Sequence, residues 1–240
     1  HLPTGSDLPE TKDPNDKIVL GGLSYEGQGI DYYDYLQQIY SAGGWRYFDI
    51  LAIHPYRWPA FPEQVRSRSK FNVRTLQYEE NWIEYNYTDE IVAFKDLMRS
   101  YGEKPIWVTE IGWPIVALVQ RANERGTQAE IVQSDYLIRV YIQSIAAGVD
   151  NIFWYDFRDD YWVVDDPNES SFGIIRADLS SKPAYYGFAV MASLLNNSRF
   201  VEQVRGQNDR NRPGDDDVYE YRFANDAQTI IVLWKSQGGD

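Results

Sequence analysis

Four short apolar runs, each leading into a stretch with helical spacing, constrain this chain more than any other feature. They are KIVLGGLS (17–24), FDILAIHPY (48–56), KPIWVTE (104–110) and NIFWYDF (151–157). Runs that are apolar at nearly every position, rather than at alternate ones, suit strands covered on both faces. Between them, apolar residues recur every three or four positions. Tyr32, Tyr35, Leu36, Ile39 and Tyr40 do so over 31–42, and Ile91, Phe94, Leu97 and Met98 over 88–101. Over 128–147 the set is Ile131, Tyr136, Leu137, Val140, Tyr141 and Ile145, and KPAYYGFAVMASLL (182–195) supplies a closing helix. Strand and helix in alternation predict an α/β fold: a parallel sheet, open or closed into a barrel, with its helices outside.

Other segments read differently. Residues 1–16 contain three Pro and no periodicity, and 57–87 forms a long stretch expected to be irregular. Past Asn197, VYEYRF (218–223) and TIIVLW (229–234) flank the turn sequence NDAQ and predict an antiparallel hairpin. These two halves suggest one unit over 1–200 and the start of an appended β domain over 201–240. The intervening loop carries Asp215 to Asp217, whose spacing lacks the EF-hand pattern and reads as a solvated turn.

Charge excludes one class of partner. With 23 Lys and Arg against 36 Asp and Glu, the net charge of -13 repels a phosphate backbone, so nucleic acid is not an expected partner. No apolar run approaches the roughly 18 residues of a membrane span, and none is expected. The absence of Cys rules out disulfides and thiolate metal sites. Eight Trp, 19 Tyr and 10 Phe are enough rings to fill a core and also to stack on sugars, so only their positions can separate the two uses.

In parallel α/β folds functional groups collect beyond the carboxyl ends of the strands. Those ends here carry Ser24, Tyr25 and Glu26; His54 and Tyr56; Glu110 and Trp113; and Trp154, Asp156, Arg158 and Asp159. Glu110 is the hardest to dismiss. A carboxylate closing an apolar strand is paired, exposed at the strand tip, or kept for chemistry, because burying it alone is costly. His54 by itself would read as a hydrogen-bonded structural residue, yet it falls at the same end of the sheet. The Asp156-Arg158-Asp159 group fits sugar hydroxyls and an ion-pair cluster equally well, and Trp113 fits the cleft or the packing beneath the loop. The chain has no phosphate-binding glycine loop, metal triad or cofactor fingerprint, so no cofactor is expected.

KPIWVTEIGWP (104–114) resembles the nucleophile strand of the retaining glycoside hydrolases built on the (β/α)8 TIM barrel, where a Glu closes the seventh strand. DPNDKIVLGGLS resembles the run into the fifth strand, FDILAIHPY the sixth, NIFWYDFRDD the eighth, and FGIIRADLSSKPAYYGFAVMASLL the exit into the last helix. The β-xylosidase and α-L-iduronidase-like members, and related cellulase-like barrels, are the most similar. The resemblance covers about residues 13–195. It implies a glycosidase with Glu110 as nucleophile, Tyr56 hydrogen-bonded to it, His54 beside the sugar subsite and Trp154 as the platform under the sugar. Trp113, Asp156 and Arg158 are further substrate-binding candidates. The implied substrate is an oligosaccharide or polysaccharide, and hence the expected location is extracellular.

A retaining mechanism needs a second carboxyl about 5 Å from the first. In the resembled family that acid/base is an Asn-Glu closing the fourth strand, upstream of the block found here. Neither Asn123-Glu124 nor Asn168-Glu169 follows an apolar strand. The expectation is therefore a chain holding strands five to eight, completed by an N-terminal half or a second chain. Glu26 is the best local substitute for the acid, with Glu79 and Glu80 behind it. The alternative from another class is a non-catalytic carbohydrate-binding or scaffold protein with an incomplete barrel.

Overall fold

The computed structural model describes residues 15–24, 31–72, 77–160, 166–206 and 218–236, with side chains left out over 68–83. A four-stranded sheet carries the site. Strands β1 (Val19–Ser24), β2 (Ile50–His54), β5 (Ile106–Ile111) and β6 (Asn151–Trp154) lie in the order β1-β2-β5-β6, all neighbours parallel. Leu51 and Ile53 of β2, and Ile106 and Val108 of β5, are completely buried, as their continuous apolar runs predict. Parallel strands need long crossovers, and helices supply them.

The helices stop and start where local chemistry says they should. Helix α1 (Tyr32–Ser41) is capped by Asp31, whose carboxylate accepts from Tyr33 N at 2.8 Å. Helix α2 (Tyr87–Arg99) opens on a reciprocal capping box between Asn86 and Asp89. Pro183 begins α5 (Pro183–Leu195), where its missing N–H costs nothing. The longest helix is α4 (Ala129–Ala146), which turns Val132, Tyr136, Leu137 and Val140 inward. These meet Leu36 and Tyr40 of α1, Phe94 and Met98 of α2, and the strands in one core. Among the described residues no helix is long and apolar enough to cross a membrane.

Four elements depart from the sequence expectation. The stretch 57–87 is not irregular: β3 (Arg66–Asn72) and β4 (Gln77–Tyr85) form an antiparallel pair from Arg66 opposite Tyr85 to Asn72 opposite Gln77. Their sequences, RSRSKFN and QYEENWIEY, carry little apolar alternation, the signal by which a strand is read from sequence. Helix α3 (Ile115–Glu124) follows Pro114, in a stretch to which the sequence expectation assigns no element, and commits only Leu118 and Ala122 to the core. The tail has β7 (Arg199–Arg205) as well as the predicted hairpin of β8 (Val218–Ala224) and β9 (Thr229–Lys235), giving a sheet ordered β7-β8-β9.

This three-stranded sheet packs on α4, and Tyr219, Tyr221 and Phe223 enter the common core. At the junction Glu63 is buried. Its Oε1 accepts from Trp234 Nε1 at 2.7 Å and Gln143 Nε2 at 2.8 Å, and Arg139 Nη1 stands 3.6 Å from Oε2. Arg139 also donates to the Lys235 carbonyl. Strand β7 runs across residue 200, the expected division of the chain. The α/β class with a parallel four-stranded sheet is present, as is a separate antiparallel sheet, and no closed barrel forms among the described residues.

Candidate active site

Parallel pairing brings the carboxyl ends of β2 and β5 together. Ile53 lies opposite Val108, so His54 at the end of β2 and Thr109-Glu110 near the end of β5 face the same edge. The Tyr56 hydroxyl donates to Glu110 Oε2 at 3.1 Å, and His54 Nδ1 lies 3.4 Å from the same oxygen. His54 Nε2 is 2.9 Å from Thr109 Oγ1. One arrangement satisfies all three groups: Nδ1–H turned to the carboxylate, and Nε2 accepting from the threonine hydroxyl. Glu110 remains 40% exposed on its side chain, open to a ligand although flanked by donors.

Glycine makes this edge possible at two points. A Cβ on Gly22 of β1 would stand 2.0 Å from His54 Nε2, so only glycine leaves the imidazole its place. A Cβ on Gly112 would stand 1.9 Å from the Tyr155 carbonyl oxygen, and its absence lets the chain leaving β6 approach the end of β5.

Tyrosine chemistry dominates the wall. Burial, then the neighbouring Glu110 carboxylate, push the Tyr56 hydroxyl far above the usual phenol range, so it stays protonated and donates to that carboxylate. Tyr155 packs edge-on to Tyr56 with centroids 6.4 Å apart, and its hydroxyl donates to Glu169 Oε2 at 3.3 Å. Burial first, with Glu169 and Asp156 next, pushes that phenol up to about 12.

The structure does not bring all the sequence candidates to this edge. Trp113 is completely buried, donates to the Ala60 carbonyl at 2.8 Å and packs edge-on to Tyr136, so it supports the loop from beneath instead of lining a cleft. Trp154 stacks on Trp113 at 6.0 Å and donates to the Phe172 carbonyl at 3.1 Å. The ring beside Tyr56 is Tyr155, one residue on, and successive positions along an extended chain point to opposite sides. Only that alternation could have separated the two in the sequence.

Asp159 is committed elsewhere. Its Oδ1 accepts from the buried Lys182 ammonium at 2.7 Å and from Gly173 N at 2.9 Å. The ion pair that fixes this loop is thus to Lys182, while Arg158 lies exposed. Asp156 is half-buried, and its Oδ1 is sealed from solvent with no hydrogen-bond partner among the described residues. Burial, then Asp160 and Asp159, raise its carboxyl to about 6. Glu169 was set aside because no apolar strand precedes it, yet the loop folds it onto Tyr155. Ser24 ends β1 opposite His54. Tyr25, Glu26 and Asp215 to Asp217 fall outside the described residues, as do the side chains of Glu79 and Glu80.

No sequence-family profile matches the chain, and neither does any curated protein. Solved structures do. A family 39 glycoside hydrolase from the gut symbiont Bacteroides cellulosilyticus WH2 is 27% identical with a TM-score of 0.58, over 84% of this chain and 36% of that one. A thermostable mutant of a xylanase from Cellvibrio japonicus matches at 14% identity and a TM-score of 0.38, over 67% of this chain and 44% of that one. The catalytic core of xylanase A matches at 11% and 0.39, over 66% and 44%. Likeness as remote as the last two says nothing about the reaction. The chain spans little more than a third of the family 39 enzyme. What it is similar to, in fold and in part of its sequence, is a glycoside hydrolase of the TIM-barrel kind.

Proposed function

We propose that this chain carries the nucleophile side of a retaining glycosidase active site. The observation behind this reading is the triad of Tyr56, His54 and Glu110 at the carboxyl edge of parallel strands. Both neighbours address Oε2, which leaves Oε1 to attack the anomeric carbon. In the first step the C–O bond to the leaving group breaks as the Oε1–carbon bond forms, and an acid protonates the departing oxygen. Water then displaces Glu110 from the glycosyl-enzyme. Tyr56 holds the carboxylate against rotation, and Tyr155 takes the place expected of Trp154 as the aromatic surface beside the sugar.

The acid/base belongs to the remainder of the barrel, supplied by an N-terminal half or a second chain. Asp156 and Glu169, whose carboxylates act on Tyr155, and the exposed Arg158 suit hydrogen bonding to sugar hydroxyls. The substrate is an oligosaccharide or polysaccharide, met outside the cell. Incubating the protein that contains this chain with a panel of activated 2-deoxy-2-fluoro glycosides, then mapping peptides by mass spectrometry, tests the assignment. A glycosyl adduct on Glu110 is expected. An adduct on any other carboxylate removes Glu110 from the role.

A further inference from the structure

Beside the Glu110 edge lies a cavity that the reaction above does not use. It encloses about 360 Å³, within the range of small-ligand pockets, and is walled by the loop from Arg57 to Arg66 on one side and α3 on the other. Both walls are continuous with the active site. Arg57 and Trp58 follow Tyr56 directly, and α3 begins at Ile115, a short step beyond Glu110. Trp58 is edge-on to Phe172, which is in turn edge-on to Tyr56 and Tyr155.

The pocket concentrates positive charge in a chain whose net charge is -13. Arg57 is buried; its Nη2 donates to the Gln64 carbonyl at 2.8 Å, and its Nη1 stands 3.6 Å from Glu90 Oε2. Its Nε is sealed from solvent without a hydrogen-bond partner among the described residues, so Arg57 fixes the loop and contributes field, not contact. Arg66 lies near enough to Arg57 to oppose its charge, and its Nη1 makes only a long 3.4 Å donation to the Tyr56 carbonyl among the described residues. Across the cavity, Arg121 packs its guanidinium over the Phe61 ring at 5.1 Å.

One carboxylate is already gripped there. Glu124 accepts from Arg121 Nη1 at 3.2 Å and from Gln120 Nε2 at 3.1 Å, while its side chain stays 49% exposed. Helix spacing alone accounts for that pair and gives it little strength. A better-placed anion reaching Arg66 and Arg121 together would displace Glu124 outward into water. We propose that this cavity binds the anionic group, a carboxylate or a sulfate ester, of a sugar unit flanking the one held at Glu110. The sugar part rests on the glycosidase reading; the anion part rests on the arginines alone.

Titrating the chain at low salt with glucuronate, glucose 6-sulfate and glucose, read by NMR shifts of the Trp indole N–H signals, tests it. At least one charged sugar is expected to bind about tenfold more tightly than glucose, and the preferred one identifies the group. Arg121→Gln should remove that preference, and Glu124→Gln should strengthen it. Equal affinity for all three sugars overturns the proposal, as does a preference indifferent to both Arg121→Gln and Glu124→Gln. Charged-sugar binding in a protein that takes no 2-fluoro label would keep the anion site and remove only the glycosidase reading.

Discussion

Replacing Trp234 with Phe removes one hydrogen atom that matters, the indole N–H 2.7 Å from Glu63 Oε1. The smaller ring keeps the stack on Tyr219 and Tyr221, whose centroids lie 5.6 and 5.1 Å away. Left with Gln143 and a more distant Arg139, the buried carboxylate loses a donor whose removal costs about 1.5–3 kcal/mol for a charged acceptor. Lost ring area adds about 0.5–1 kcal/mol, so the deficit should be about 2–4 kcal/mol. The pH dependence has a definite sign. Burial raises the Glu63 carboxyl above its unfolded value, so its ionised form opposes folding as pH rises through that window. Without the indole donor the folded value rises further. The deficit of Trp234→Phe should therefore be smallest at acid pH, where Glu63 is protonated, and grow toward neutrality. Urea unfolding at several pH values, repeated in a Glu63→Gln background, measures both effects. A deficit below about 0.5 kcal/mol at neutral pH, or one unchanged by Glu63→Gln, refutes the account.

Three further outcomes follow from the site. Asp156→Asn should stabilise the protein at pH 7.5: raising an acid from 3.8 to about 6 disfavours the fold as pH climbs between those values, by about 1–2 kcal/mol after allowance for its half exposure, and identical pH–stability curves for variant and parent would rule this out. Gly22→Ala should force His54 out of its place, lowering aryl-glycoside turnover more than tenfold while costing about 1–3 kcal/mol in stability; unaltered His54 NMR shifts would contradict it. Tyr155→Leu should raise KM for a glycoside while Trp154→Leu chiefly lowers Tm, and the reverse pattern would return the platform to Trp154.

What the sequence made legible was whatever burial dictates. Leu51, Ile53, Ile106 and Val108 belong to runs that can only be covered strands, and parallel order then puts His54 and Glu110 on one edge without further information. Pairing and loop closure were not legible. The hairpin of β3 and β4 is written in polar residues, and α3 offers the core only two side chains. Trp154 and Tyr155 show the limit most clearly: both are rings at the end of β6, and one residue of phase decides which stacks on the buried Trp113 and which stands beside Tyr56. Glu169 reaches Tyr155 only because the loop returns, a fact of tertiary closure.

Phe172 carries a wider consequence. Its carbonyl accepts from Trp154 and from Gln133 of α4, and its ring touches Tyr56, Trp58 and Tyr155 and sits over Gly112. The segments leaving β2, β5 and β6 are therefore clasped by one side chain and cannot drift apart in evolution separately. Length changes should be tolerated on the far side of that clasp and selected against wherever they would move it. Diversification of specificity in such a chain would then come from exchanging side chains on a fixed rim rather than from remodelling its loops.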